Sequence, residues 1–318
     1  MYRTTVLWMR GTIAFVWGFT NTIVCCIPFF TIAILKLIIP ITVWKKGCSK
    51  ALIEIASSWI FINSFGLKLL HHIHWEVEGL EELSNHQWYI VISNHQSWTD
   101  IIVLQTIFYR KIPFLKFFLK KELIWVPLLG LVWWALDYPF MKRYSRTFIE
   151  KNPHLKGKDI EITRKACEKF KQLPVSIMNF VEGTRFTPEK YQKQRSPYAN
   201  LLKPKAGGIA FVLAAMGEQL NSILNVTIVY PEGTKNIWNF LCGEVRRIKV
   251  HIEIIPITAD LLGDYFEDAN FQKQFQEWVN QIWIRKDQRI YQMLGVPQEL
   301  NNLGPLPSIL DCNPLNKN

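Results

Sequence analysis

The stretch Trp88-Tyr-Ile-Val-Ile-Ser-Asn-His-Gln-Ser-Trp-Thr-Asp100 decides how this chain folds. Its first six residues are a short apolar, β-branched run that predicts a buried strand. Asn94-His95-Gln96-Ser97 is the polar turn that ends the strand, and a helix-like run continues through Phe108. The same alternation recurs downstream. Val175 to Val181 predicts another strand, ending at Glu182-Gly183-Thr184-Arg185. Gly207 to Leu220 reads as a helix before a strand from Asn225 to Tyr230. Ile248, Val250, Ile252 and Ile254 alternate with polar residues, as in a strand with one wet face. Strands interleaved with helices predict an α/β domain, whose ligands sit in loops beyond the strand ends.

Composition bounds what such a chain can do. Of its 318 residues 49% are apolar and 20% charged, below the roughly 25% charged of a typical soluble domain, and this excludes disorder. Thirty-seven Lys and Arg against 26 Asp and Glu give a net charge of +11. That excess points to an anionic partner: nucleic acid, an acidic membrane surface or a phosphorylated substrate. The six cysteines include no Cys-x-x-Cys pair and read as reduced thiols.

From Gly11 to Leu35 no residue is charged, and Arg10 and Lys36 bound the run. A helix of that length reaches about 37 Å, enough for the roughly 30 Å of bilayer hydrocarbon. A second apolar run, Leu37 to Trp44, ends at Lys45-Lys46. Pro28 and Pro40 allow either a kinked single span or a re-entrant hairpin. The apolar run is too long for a signal-peptide core, and no Ala-x-Ala site follows it. Three segments are expected: a membrane-anchoring part over 1–46, the α/β domain over 47–262, and an amphipathic helix with a loose tail over 263–318. Ile112 to Leu136 is apolar but interrupted by lysines, as in a surface lying among lipid headgroups. Phe271, Phe275, Trp278, Val279, Ile282 and Trp283 give one apolar helix face, expected to dock on the core.

Two strand ends carry residues suited to chemistry. Four residues separate His95 from Asp100, so a carboxylate one turn into a helix can fold back and fix the imidazole tautomer, making a general base. A structural histidine in a capping turn has the same spacing. At Glu182-Gly183-Thr184-Arg185 the glycine allows close backbone approach, Thr184 adds a hydroxyl, and Arg185 offers a planar fork for phosphate. A plain turn with a solvated arginine would read alike. Pro139-Phe-Met-Lys-Arg143 places a basic pair after an apolar run, beside an anion or at a membrane edge.

Taken together, Asn94-His95-x4-Asp100, Phe140-Met-Lys-Arg143, Phe180-Val-Glu-Gly-Thr-Arg185, Lys205-Ala-Gly207 and Val229-Tyr-Pro231 follow one order over residues 75–260. That order resembles the 1-acyl-sn-glycerol-3-phosphate acyltransferase (PlsC-like) family. The stretches Phe118 to Pro127 and Asp137 to Ser145 resemble its bacterial inner-membrane YihG-type branch. The resemblance implies a mostly parallel or mixed sheet flanked by helices, preceded by a membrane helix or helical hairpin. It implies that His95 with Asp100 deprotonates a lysophospholipid hydroxyl, with lysophosphatidic acid as the first expectation. Arg143, Glu182, Gly183, Thr184, Arg185 and Lys205 would form the substrate site. The acyl donor would be acyl-CoA or acyl carrier protein, with no cofactor, at the bacterial cytoplasmic membrane. One position departs: the family's second block usually opens with Gly, and Asp137 stands there.

Other chemistries find no support. A thioester is already activated, so one well-held base suffices without an acyl-enzyme, and no Gly-x-Ser-x-Gly elbow occurs. His71, His72 and His74 lack a second ligand set, so no metal is expected. Glu232-Gly-Thr-Lys235 echoes the earlier Glu-Gly-Thr-Arg and reads as a turn. Neither nucleotide-binding glycine motif is present, and nucleic-acid binding, suggested by the net charge and the aromatics, has no recognised motif behind it. A non-catalytic lipid-binding protein on the same fold is the remaining rival.

Overall fold

The computed structural model describes residues 2–117, 119–138, 140–141, 161, 165, 167, 170 and 173–295. Arg143 and the tail expected from Gly304 lie outside the described residues.

Two long helices open the chain. α1 (Tyr2–Ile38) has 37 residues with Pro28 in its interior, and α2 (Thr42–Leu70) has 29. They are joined at residues 39–41 and run antiparallel: Trp44 Nε1 donates to Leu35 O at one end, and Trp17 Nε1 to Ile62 O further along. Asn21 Nδ2 ties the pair in the middle, donating to Trp59 O at 3.0 Å and Asn63 Oδ1 at 2.9 Å. Gly66 lets Trp17 lie against the helix, since a Cβ there would fall 2.3 Å from its Nε1. Both helices are long and apolar enough to cross a membrane. Ile13, Phe15, Val16, Phe19, Val43 and Leu69 are exposed on them, an apolar surface that water does not favour. α1 runs on through Pro28, and the chain turns back only at residues 39–41, before α2, so the two helices make a helical hairpin longer than the apolar runs alone. The boundary expected after residue 46 falls inside α2, because the helix continues through Lys45 and Lys46 to Leu70.

The domain beyond is a six-stranded sheet in the order β1 (His74–Glu78), β8 (Arg247–Pro256), β7 (Ser222–Val229), β2 (Tyr89–Ser93), β6 (Ser176–Phe180), β3 (Leu115–Phe117). β7, β2, β6 and β3 are parallel, and β8 pairs antiparallel with β7 and parallel with β1. This is the mixed sheet expected. β4 (Leu119–Lys120) and β5 (Phe140–Met141) form a separate parallel pair. β2 is buried along its whole length and sends alternate side chains into two cores. Ile90 and Ile92 join one face, covered by α6 (Gly207–Met216) and α8 (Ala269–Leu294). Tyr89 and Val91 join the other, under α3 (Thr99–Phe108) and α7 (Ile237–Leu241). At about 25 cal/mol per Å2 this two-sided burial is the main stabilising term.

α8 docks as its periodicity predicts: Phe275, Val279, Ile282, Trp283 and Ile290 are buried in the first core. The division after residue 262 therefore separates a helix that is part of the core. The Ile112 to Leu136 stretch behaves in two ways. Leu115 and Lys116 are buried in β3, whereas Trp125, Leu128 and Leu129, before and at the start of α4 (Leu129–Ala135), are exposed.

One polar latch joins hairpin to domain. Lys36 Nζ donates to Ala135 O at 2.8 Å and to Asp137 Oδ2 at 2.9 Å, and Ser49 Oγ donates to the same carboxylate oxygen at 2.6 Å. Asp137 has φ of 58°, the left-handed region that favours glycine. Its side chain joins both hairpin helices at that cost in backbone strain.

Candidate active site

Because β7, β2 and β6 are neighbours and parallel, their carboxyl ends share one edge of the sheet. Three loops distant in sequence meet there: 94–98 after β2, 181–187 after β6, and 230–236 after β7.

The first loop holds the imidazole. Asn94 is fully buried, its Nδ2 donating to Ile228 O and its Oδ1 accepting from Ile228 N, both at 2.9 Å. His95 follows at once. Its Nδ1 lies 2.8 Å from Asp100 Oδ2, and the backbone N–H groups of Gln96 and Ser97 donate to that oxygen at 2.7 and 2.9 Å. Tyr230 OH donates to Asp100 Oδ1 at 2.7 Å, while Thr99 Oγ1 donates to Tyr230 OH at 3.0 Å. Asp100 is completely buried and used throughout as an acceptor. Nδ1 therefore donates to it, so that in the neutral ring the lone pair lies on Nε2. Burial and the Asp100 charge push the Tyr230 phenol well up, so it stays a donor. The imidazole also stacks on Phe180, with centroids 3.8 Å apart and planes 13° apart. Capping is not its role: Trp98 precedes α3, with no side-chain cap.

The second loop gives the expected anion site a different division of labour. Gly183 has φ of 70° and its N–H donates to Phe180 O at 2.9 Å. A Cβ there would come within 3.2 Å of Lys205 Nζ, so the lysine passes directly over the glycine. Arg185 is exposed, its guanidinium 4.7 Å from the ring of Trp98. Thr184 Oγ1 accepts from Lys190 Nζ at 2.7 Å, bringing in a cation the sequence reading did not single out. Glu182 departs from expectation. It is 1% exposed, and its carboxyl oxygens accept from His95 N at 3.4 Å and Leu202 N at 3.2 Å. A carboxylate facing phosphate would repel it; turned inward, Glu182 supports the histidine loop instead. Burial pushes its carboxyl up to about 8. His95 O accepts from Phe186 N at 2.7 Å, so the two loops are bonded in both directions.

Beneath them lies Lys286 of α8, fully buried, its Nζ donating to Val226 O and, at 3.3 Å, to Thr227 Oγ1. Burial pushes it down to about 7, opposed by the charges of Glu182 and Glu253. Sequence reasoning missed Lys286 and the Tyr230 hydroxyl. A lysine in helical register with Trp283 and Ile290 on an apolar face was the available signal. Among the described residues no group of three or more His, Cys, Asp or Glu could hold a metal. An apolar groove of about 340 Å3 lies between the hairpin and α3, lined by residues including Phe15, Trp59, Leu67 and Ile102.

The arrangement sets an imidazole, held by a buried carboxylate, at a strand end of an α/β domain beside the exposed Arg185 and Lys205. The chain belongs to the Acyltransferase family, which it matches over residues 74–257. It is 26% identical over 244 residues to the 2-acyl-1-lysophosphatidylinositol acyltransferase of Saccharomyces cerevisiae, covering 62% of this chain and 59% of that protein. It is 29% identical to the 1-acyl-sn-glycerol-3-phosphate acyltransferase of the same yeast, covering 68% and 64%. With the human 1-acyl-sn-glycerol-3-phosphate acyltransferase alpha the identity is 30% over 120 residues, 37% of this chain and 38% of the human one. The chain thus spans less than two thirds of the length of these relatives. The crystal structure of the 1-acyl-sn-glycerophosphate (LPA) acyltransferase PlsC from Thermotoga maritima superposes with a TM-score of 0.48 at 16% identity, covering 85% of this chain and 94% of that one.

Proposed function

We propose that this protein transfers a fatty acyl group from a thioester to the free hydroxyl of a lysophospholipid, with lysophosphatidic acid as the preferred acceptor. The observation that carries the reading is the 2.8 Å contact of His95 Nδ1 with Asp100, at one strand end, beside the cationic turn of Arg185 at the next.

The chemistry needs one base. An alcohol is a poor nucleophile near neutral pH, and a thioester is reactive enough for direct attack. His95 Nε2 takes the hydroxyl proton as the oxygen bonds to the thioester carbonyl carbon. The carbon–sulfur bond then breaks, and the proton passes to the departing thiolate. Asp100 stabilises the imidazolium that forms in between. Arg185 and Lys205 would bind the acceptor phosphate, with Arg143 as a further candidate from its place in the family's second block. The donor is acyl-CoA or acyl carrier protein. The apolar groove suits an alkyl chain, and the exposed apolar hairpin suits a membrane. A YihG-type enzyme of the bacterial cytoplasmic membrane fits these features and the resemblance of residues 118–145.

Acyl transfer measured in membranes carrying the parent or the His95→Ala protein tests this reading. Turnover with the parent and none with the variant is expected; equal turnover overturns it.

A further inference from the structure

The Glu232-Gly-Thr-Lys235 segment repeats Glu182-Gly-Thr-Arg185 in space as well as in sequence. Each follows a strand that pairs in parallel with β2, β6 on one side and β7 on the other. Each glycine has a left-handed backbone, φ 70° at Gly183 and 81° at Gly233. Each donates its N–H three residues back at 2.9 Å, Gly183 to Phe180 O and Gly233 to Tyr230 O. Each turn is also bonded to the histidine loop: Phe186 N donates to His95 O at 2.7 Å, and Ser97 Oγ donates to Lys235 O at 2.9 Å. The His95 loop thus emerges between two like turns, each ending in a cation.

The acidic residues show where the two differ. Glu182 is buried and supports the His95 backbone, whereas Glu232 turns out to meet Arg247 Nε at 3.1 Å. The second cation is loosely held. Lys235 Nζ lies 4.0 Å from Glu244 Oε2, with its side chain 31% exposed. A contact that long between part-exposed side chains contributes little, so an incoming anion competes with it easily.

From this geometry we propose that the Glu232–Lys235 turn is a second anion site, which binds the phosphate of the acyl donor's carrier through Lys235. The inference rests on the acyl-transfer reading above. Two substrates must meet at one imidazole, and each of them carries phosphorus oxygens. A turn on each side of the base lets the acceptor phosphate and the donor phosphate approach from opposite flanks without repelling each other in one pocket. A phosphate gains most from a cation where backbone dipoles and partial burial limit screening.

The test uses the full-length protein with two donors carrying the same acyl group, acyl-CoA and acyl-pantetheine, the second lacking phosphate. Lys235→Gln should raise KM for acyl-CoA roughly ten- to a hundredfold, the range of one charge-assisted hydrogen bond. It should leave KM for acyl-pantetheine and for the acceptor unchanged, and Lys235→Arg should restore most of the loss. Equal effects on both donors, an effect on the acceptor instead, or no effect on any would overturn the proposal. Absence of transfer by the parent protein with either donor would instead remove the acyl-transfer reading itself. Thermal unfolding of each variant, expected to match the parent, separates a lost contact from a lost fold.

Discussion

Asp100 Oδ2 holds His95 Nδ1 at 2.8 Å and the backbone N of Gln96 at 2.7 Å, so one oxygen fixes both the ring and the loop that carries it. Replacing Asp100 by Asn would set an amide against donors that need an acceptor and release the imidazole tautomer. His95→Ala and Asp100→Asn should each lower kcat by about two to four powers of ten. Initial rates at saturating substrate check this, and His95→Ala should unfold near the parent temperature.

Tyr230→Phe isolates the other carboxylate oxygen. The change keeps the ring in the core but removes the 2.7 Å donor to Asp100 Oδ1 and the acceptor for Thr99. A buried acceptor without its donor costs about 1–3 kcal/mol. A lower denaturant midpoint with an unchanged slope is the expected result.

Glu182 predicts a pH dependence with a definite sign. Its folded pKa of about 8 lies above its unfolded value of 4.5. Between these the folded state holds the proton and the unfolded state has lost it, so this group makes stability fall as pH rises from 4.5 towards 8, by at most about 1.4 kcal/mol per pH unit. Lys286, pushed down from 10.5 to about 7, acts oppositely at higher pH: the unfolded state holds the extra proton there, and stability rises from 7 towards 10.5. Glu182→Gln should flatten the decline between pH 5 and 7. Parallel melting curves of variant and parent across that interval would refute the assignment.

Trp98 is 56% exposed and lies under the Arg185 guanidinium at 4.7 Å. An exposed cation–π contact is worth about 0.5–1 kcal/mol. Trp98→Ala should therefore raise KM for the acceptor roughly two- to fivefold with kcat kept, whereas Arg185→Ala should raise it roughly ten- to a hundredfold. Phosphate-free acceptors should show neither effect.

Asp137→Gly keeps a residue suited to φ 58° but deletes the carboxylate that meets Lys36 and Ser49. Lys36 is only 5% exposed, and taking the carboxylate from a buried ammonium costs on the order of 3–5 kcal/mol. The unfolding temperature in detergent should fall, and adding Lys36→Met should recover much of the loss.

Much of this architecture was legible because burial imposes a period. β2, β6 and β7 appear within a few residues of their expected positions, since an apolar run flanked by Gly or polar turns has few other uses. The apolar face of α8 and the His95–Asp100 pairing were legible for the same reason: spacing on a helix is geometry. α2 was not, because Lys45, Lys46, Lys50 and Glu54 break its apolar run, although they lie on one continuous helix. Glu182 illustrates another limit. Its residue type and its place beside Gly183 suggest a ligand contact, and only the rotamer shows that the carboxyl turns inward. Tyr230 and Lys286 act across 130 and 60 residues of chain, to Asp100 and to Val226, and such long-range pairs leave no local pattern.

The paired bonds of Asn94 to both the N–H and the carbonyl of Ile228 let a side-chain amide imitate one more peptide of the β2–β7 ladder. The imidazole next door is consequently tied to the central sheet and not carried on a free loop. Its positional scatter should track that of the sheet, and warming should slacken the surrounding cations well before it moves the base.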